Sequence, residues 1–367
     1  MYCLLGVAMN HWSEYSIVTR ALKAQVIAAP EPLSYAHPAI FDRATGFLLL
    51  IDWDAERILG YRECPKPFGF TLDGNTIYVN TWGNDDIIVI HGNDIVARIQ
   101  HPWFNHLHTI EKTKRGLLVT SSGLDLIAEI DDGGRLLWEC FMFEHGYNRA
   151  PYLVGQHFVR SRNYNRIYIP SNIKAHVNSA ILVDEDTVLA TLFDPGEVVR
   201  IDRRTRSVDV VVSGLRRPHS IRRRAKGGYL VSNTEGEAVI LLDHELRREG
   251  EVRVGVPWIQ DANLVESRLM VVANRRVVTE PSTRDLAEDA MTTGQVLEFA
   301  LDGTIRKCLD MGHEHRLYLI EPVTTETAIA LADAWRDNYF DASIAQWHPP
   351  RRQRRNEPSF KSWRTTR

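Results

Sequence analysis

Residues 105–110 of this chain read NHLHTI. Side chains two positions apart on an extended strand share a face, so His106 and His108 project together while Leu107 packs behind them. Neutral imidazoles that share a face can ligate a divalent ion or relay protons. Comparable heads recur along the chain as co-facing pairs: Tyr35 with His37, Phe68 with Phe70, His176 with Asn178, Arg217 with His219, and Asp261 with Asn263. Each precedes a β-rich run. If these runs line one axis, His106, His108, His176 and His219 form a first shell for Zn, Fe or Mn. Asp261 is then a fifth ligand or general base, His37 a further catalytic candidate, and Asn178 and Asn263 orient ligands or substrate. The competing reading is structural, because polar side chains routinely line water-filled channels. Recurrence at equivalent positions, among only 14 histidines, favours function.

The elements that must carry these residues are strands in a loose repeat. HTIEKTKRGLLVTSSGLDLIAEIDDGGRLLWECF is followed by NSAILVDEDTVLATLFDPGEVVRIDRRTRSVDVVV, then by HSIRRRAKGGYLVSNTEGEAVILLDHELRREGEVRV, then by a copy from Asn263. Heads at 178, 219 and 263 are 41 and 44 residues apart, the period of a four-stranded propeller blade. Less regular copies begin at His37 and Phe68, and the segment from Tyr318 holds half a blade. The expectation is an all-β chain forming a single β-propeller over residues 1–345. Seven blades are favoured and six are the alternative, with a closing blade shared by N- and C-terminal strands, the former near YSIVTRALKAQVI. Closure of this kind removes exposed sheet edges.

Two insertions break the period. Residues 142–173, rich in Tyr, Arg and Asn, are expected to form a lid or wall. Within them Arg162 and Tyr164, with Arg160, are candidates for binding an anionic or aromatic group, as Arg217 is elsewhere. VTEPSTRDLAEDAMTT interrupts the sixth blade and has helical character around Arg284–Met291. His313 and His315 read as turn residues at a channel mouth. The basic, Pro-interrupted residues 346–367 read as a flexible tail.

Composition narrows the partners. Hydrophobic content of 44%, charged content of 25% and 9 Trp suit a globular protein with a large core. A net charge of -3 with a pI near 6.5 supplies no drive toward nucleic acid or an anionic membrane, which leaves a small-molecule substrate. Cys3, Cys64, Cys140 and Cys308 show no metal-ligand spacing and read as free thiols of a cytoplasmic protein. The leading MYCLLGVAM is too short to span a bilayer and lacks a basic leader. GxSxG, P-loop, Rossmann and HExxH motifs are absent from the sequence, which disfavours serine hydrolysis and nucleotide-driven chemistry.

RPHSI at 217–221, HTI at 108–110 and the runs GGYLVSN and GEAVILLD resemble the NHL-like propellers. That group includes the streptogramin lyases, the amidating lyase of peptide maturation and gluconolactonase-like metal hydrolases. The resemblance spans most of residues 33–335 and implies an axial divalent metal with lyase or hydrolase chemistry at one mouth. The His106/His108 doublet departs from those lyases. A multi-histidine axis is also similar to that of carotenoid-cleaving oxygenases, which implies an iron oxygenase as the alternative enzyme. A non-catalytic propeller that binds proteins through its rim is the rival from another class.

Overall fold

A computed structural model describes residues 1–9, 45–82, 84–147, 158–165, 167, 169, 175–276 and 292–348. They form six antiparallel sheets arranged as one β-propeller. Blades 2 to 6 follow the chain, with innermost strands Pro67–Asp73, Leu107–Lys112, Val177–Leu182, Pro218–Arg223 and Ile259–Val265. The second and third strands of each blade are apolar runs such as Leu48–Ile51 and Ile87–Ile90, buried on both sides where blades pack face to face. The outermost strand of blade 2, Asp94–Ile99, instead exposes five of its six residues.

Blade 1 closes the ring. Tyr2–Met9 pairs on one side with Arg316–Val323, the innermost strand, and on the other with Gly46–Asp52, which pairs in turn with Arg57–Cys64. The blade shared between chain ends is thus present, but there are six blades, not the seven favoured. The strands Gly46–Asp52 and Arg57–Cys64 and the strand Arg316–Val323, expected in two blades, belong to one, because Tyr2–Met9 pairs with both groups. The closing N-terminal strand is the apolar run Tyr2–Met9, whereas the segment expected to supply it, and His37 and Tyr35 with it, lies outside the described residues.

Beyond the innermost strand of blade 1 the chain forms a helix, Thr325–Ala334, that β-periodicity did not anticipate. The Thr324 hydroxyl accepts the Thr327 N–H at 3.2 Å, capping it, and Trp335 ends it fully buried with Nε1 donating to the Gly92 carbonyl at 2.9 Å. Gln346–His348, assigned to the tail by composition, add a fifth strand to blade 6, and Trp347 meets Trp53 with ring centroids 5.0 Å apart. Those three residues are therefore part of the propeller, and residues 349–367 lie outside the description. The described part of the 142–173 insertion packs on blade 3, where Phe143, Phe158 and Tyr164 join Trp103 and Phe141. The second insertion's helical stretch is outside the described residues.

Candidate functional site

One local irregularity decides which side chains reach the axis. In blades 2 to 6 the innermost strand carries a register shift near its start: between Pro67 and Gly69, Leu107 and Ile110, Val177 and Ser179, Pro218 and Ile221, and Ile259 and Asp261. A bulge of this kind re-aims the extra residue. The strands begin with a repeated triplet whose middle residue is apolar: Lys66-Pro-Phe68, His106-Leu-His108, His176-Val-Asn178, Arg217-Pro-His219, Trp258-Ile-Gln260 and Arg316-Leu-Tyr318. In the first five the leading residue is left-handed, with φ from 36° to 57°. A non-glycine residue held there costs on the order of 1–3 kcal/mol and persists where its surroundings over-determine it. Two carboxylates do so here. Asp85 accepts the His106 N–H at 2.9 Å, and Asp125 accepts the His176 N–H at 2.7 Å and the Ala175 N–H at 3.1 Å.

The third residue of each triplet faces the channel. Phe68, His108, Asn178, His219, Gln260 and Tyr318 make a ring, and His108 meets Tyr318, two blades away, with centroids 5.8 Å apart. The residue after the bulge turns sideways into the next blade. The Thr109 hydroxyl accepts from the Ala180 N–H at 3.4 Å, the Ser179 hydroxyl from Ile221 at 3.3 Å, and the Asp261 carboxylate from Ile320 at 3.2 Å.

Hydrogen bonding sets the tautomers of two imidazoles. Nδ1 of His108 lies 2.9 Å from the His106 carbonyl, an acceptor only, so Nδ1 carries the proton and Nε2 the lone pair. The Ser122 hydroxyl supports this bond, donating to the same carbonyl and sitting 2.8 Å from Nδ1. His219 is held alike: Thr234 donates to the Ile259 carbonyl at 2.6 Å and so accepts from His219 Nδ1 at 2.7 Å. Nε2 of His176 is 3.3 Å from Nε2 of His108, and since the latter is an acceptor, His176 is the donor. Burial above all, with the Arg316 and Arg217 charges adding, holds His219 well below the usual imidazole range, leaving it a neutral base. Burial pushes the Tyr318 phenol up, so it stays a hydroxyl.

The four histidines do not close into one shell. His108 and His176 touch, but the Phe193 ring stands between His176 and His219, at 4.9 and 4.7 Å, and His106 lies against Trp82 at 5.0 Å. Among the described residues no three His, Cys, Asp or Glu side chains come together as a set able to hold a metal ion. Asp261 is one residue past the ring. It is 1% exposed and forked with Arg222, at 3.1 and 2.8 Å, while Arg222 also pairs with Glu321. Its carboxylate is thus engaged by the Arg222 guanidinium and the Ile320 N–H. Asn263 lines a separate cavity of about 960 Å³ at the opposite mouth. Asn178 does reach the ring, and Arg217 sits at its rim, paired with Glu235 at 2.8 Å over the Phe193 face. Tyr164 is fully buried, its hydroxyl 2.6 Å from the Val159 N–H, and Arg162 lies over its ring, both on blade 3 and apart from the axis. His315 packs edge-on against Phe47.

Sequence reasoning missed Lys66, Trp258, Gln260, Arg316 and Tyr318. The signal that would have found them is the apolar middle residue of the triplet, which registers all six strands at once.

No protein-family model matches this chain, and no curated protein matches its sequence. Solved structures do resemble it. A protein of unknown function from Bacteroides caccae aligns over 87% of this chain and 97% of its own at 12% identity and TM-score 0.52. A structure of a nidogen/laminin complex aligns over the same shares at 11% identity and TM-score 0.51. Virginiamycin B lyase from Staphylococcus aureus covers 77% of this chain and 89% of its own at 10% identity and TM-score 0.42. The first two likenesses carry the propeller fold and no more.

Proposed function

We propose that this propeller is an enzyme that acts on a small organic molecule at the imidazole end of its channel, by the acid–base chemistry of a hydrolase or lyase. The observation that carries the reading is the anchoring of His108 and His219. Each imidazole is tied through Nδ1; Nε2 of His108 accepts from His176, and Nε2 of His219 carries the lone pair in a ring shared with Phe68 and Tyr318, beside Phe193 and Trp258. Neutral, oriented imidazole is the state a general base requires near pH 7. The aromatic rings suit a planar or apolar substrate body, Asn178 a polar group on it, and Arg217 a rim contact. Turnover of small organic esters and lactones, compared with His219→Gln, tests the reading. Undiminished turnover in the variant rejects it and leaves a rim-binding interaction module as the better description.

A divalent ion has one foothold. The 3.3 Å separation of His108 and His176 Nε2 is close to the edge of about 3.4 Å that two imidazoles span on one tetrahedral ion with bonds of about 2.0–2.1 Å. Elemental analysis of protein purified without a His tag tests for Zn, Fe or Mn there, and iron would favour oxygenase chemistry. Cys3, Cys64 and Cys140 are buried free thiols with pKa values pushed up to about 12, which suits the reducing cytoplasm we assign to the protein.

A further inference from the structure

Just past the ring lies a small niche of about 10 Å³ lined by Asn178, His219, Ser220, Gln260 and Tyr318, with Thr109 and Asp261 beside them. That volume is about one probe sphere, the room one water needs. Two buried side-chain amides in its wall are short of hydrogen bonds. Asn178 is 2% exposed, yet among the described residues neither its Oδ1 nor its Nδ2 has a hydrogen-bond partner. Ser220 is committed to Ser232 at 2.8 Å and Asp261 to Arg222, while Gln260 accepts from Trp258 Nε1 at 3.2 Å but its Nε2 has no hydrogen-bond partner among the described residues. A buried amide with both ends unmade is costly, and native proteins rarely retain one. One oxygen that donates to Asn178 Oδ1 and accepts from Asn178 Nδ2 removes the cost and keeps a lone pair.

We propose that this niche is a single-water site and that its water is the second substrate, which makes the reaction hydrolysis. This use of the water rests on the enzymatic reading above, whereas its binding does not. His219, in the same wall, has its lone pair on Nε2. The water oxygen bonds to an electrophilic carbonyl carbon while its proton passes to His219 Nε2. The departing alkoxide leaves with the C–O bond pair and takes that proton back, so atoms and charge balance without another reactant. Elimination, by contrast, has no use for a water held on the axis.

A high-resolution crystal structure of the full chain tests the site. The expected result is an ordered oxygen within hydrogen-bond distance of the Asn178 amide, retained in His219→Gln and lost in Asn178→Leu. Thermal unfolding supplies the second readout. If the amide is satisfied by water, Asn178→Leu lowers Tm. If it is truly unmade, the apolar replacement raises Tm. No oxygen in the wild-type niche together with a raised Tm overturns the site. An oxygen in place, with full ester turnover in His219→Gln, upholds the site and removes only the enzymatic reading. Ester turnover without incorporation of oxygen-18 from labelled water overturns the water's role as substrate.

Discussion

Nε2 of His108 lies 3.3 Å from Nε2 of His176, with the His108 ring fixed from behind by the His106 carbonyl and the Ser122 hydroxyl. The two nitrogens share one proton, supplied by His176. A divalent ion that enters must displace it and bind both. Zinc titration followed through imidazole nitrogen-15 resonances should therefore move His108 and His176 together and leave His106 unchanged. Independent shifts would sink the shared edge.

His219 links the site to stability through pH. Its folded pKa is depressed below the unfolded value of about 6.5, so the unfolded chain binds the proton first. Its contribution is full above about pH 6.5 and declines as pH falls toward the folded value. His101 and His145 are lowered by burial and act in the same direction, so the informative quantity is a difference. The loss of Tm between pH 7 and pH 5 should be smaller in His219→Gln than in the wild type. Equal slopes would mean the imidazole is not held neutral.

Asp261 belongs to the frame. Removing one member of a buried ion pair strands the other, at a cost of about 3–5 kcal/mol. Asp261→Ala, which leaves Arg222 with Glu321 alone, should lower unfolding free energy by about that amount in urea, while turnover per folded molecule holds. A large fall in kcat at unchanged stability would restore Asp261 as the base.

Closure of the ring rests on a buried strand. Leu5 is fully buried between Leu49 and Ile320, so Leu5→Ala should cost about 2–5 kcal/mol. Val96, exposed on the outermost strand of blade 2, should tolerate Ala within about 0.5 kcal/mol. Comparable losses at both positions in denaturant titrations would contradict the closing role of Tyr2–Met9.

Much of the fold was legible because blades repeat a local pattern. Period-two runs, Gly and Asp turns and a 41–44 residue spacing report strands whatever they pair with. Blade number was harder. Arg316–Val323 and Gly46–Asp52 each read as part of a separate blade, and only their common partner, Tyr2–Met9, makes them one. In the site, registering the heads by the β-runs that follow placed His108, Asn178 and His219 on the axis. It put Asp261 and Asn263 where Trp258 and Gln260 stand, and Phe70 where Phe68 stands. The bulge explains the first of these errors, because one extra residue turns the side chain after it through half a turn and sends Asp261 to Arg222.

By itself, then, the sequence determined a propeller with imidazoles at the heads of several blades, since strand periodicity and residue chemistry are local properties. The tertiary structure decided which of those imidazoles meet. Phe193, from the turn between two strands of blade 4, separates His176 from His219, and the Ser122 and Thr234 hydroxyls set the tautomers of His108 and His219. Such contacts join residues distant along the chain across fractions of a nanometre, and no periodicity encodes them.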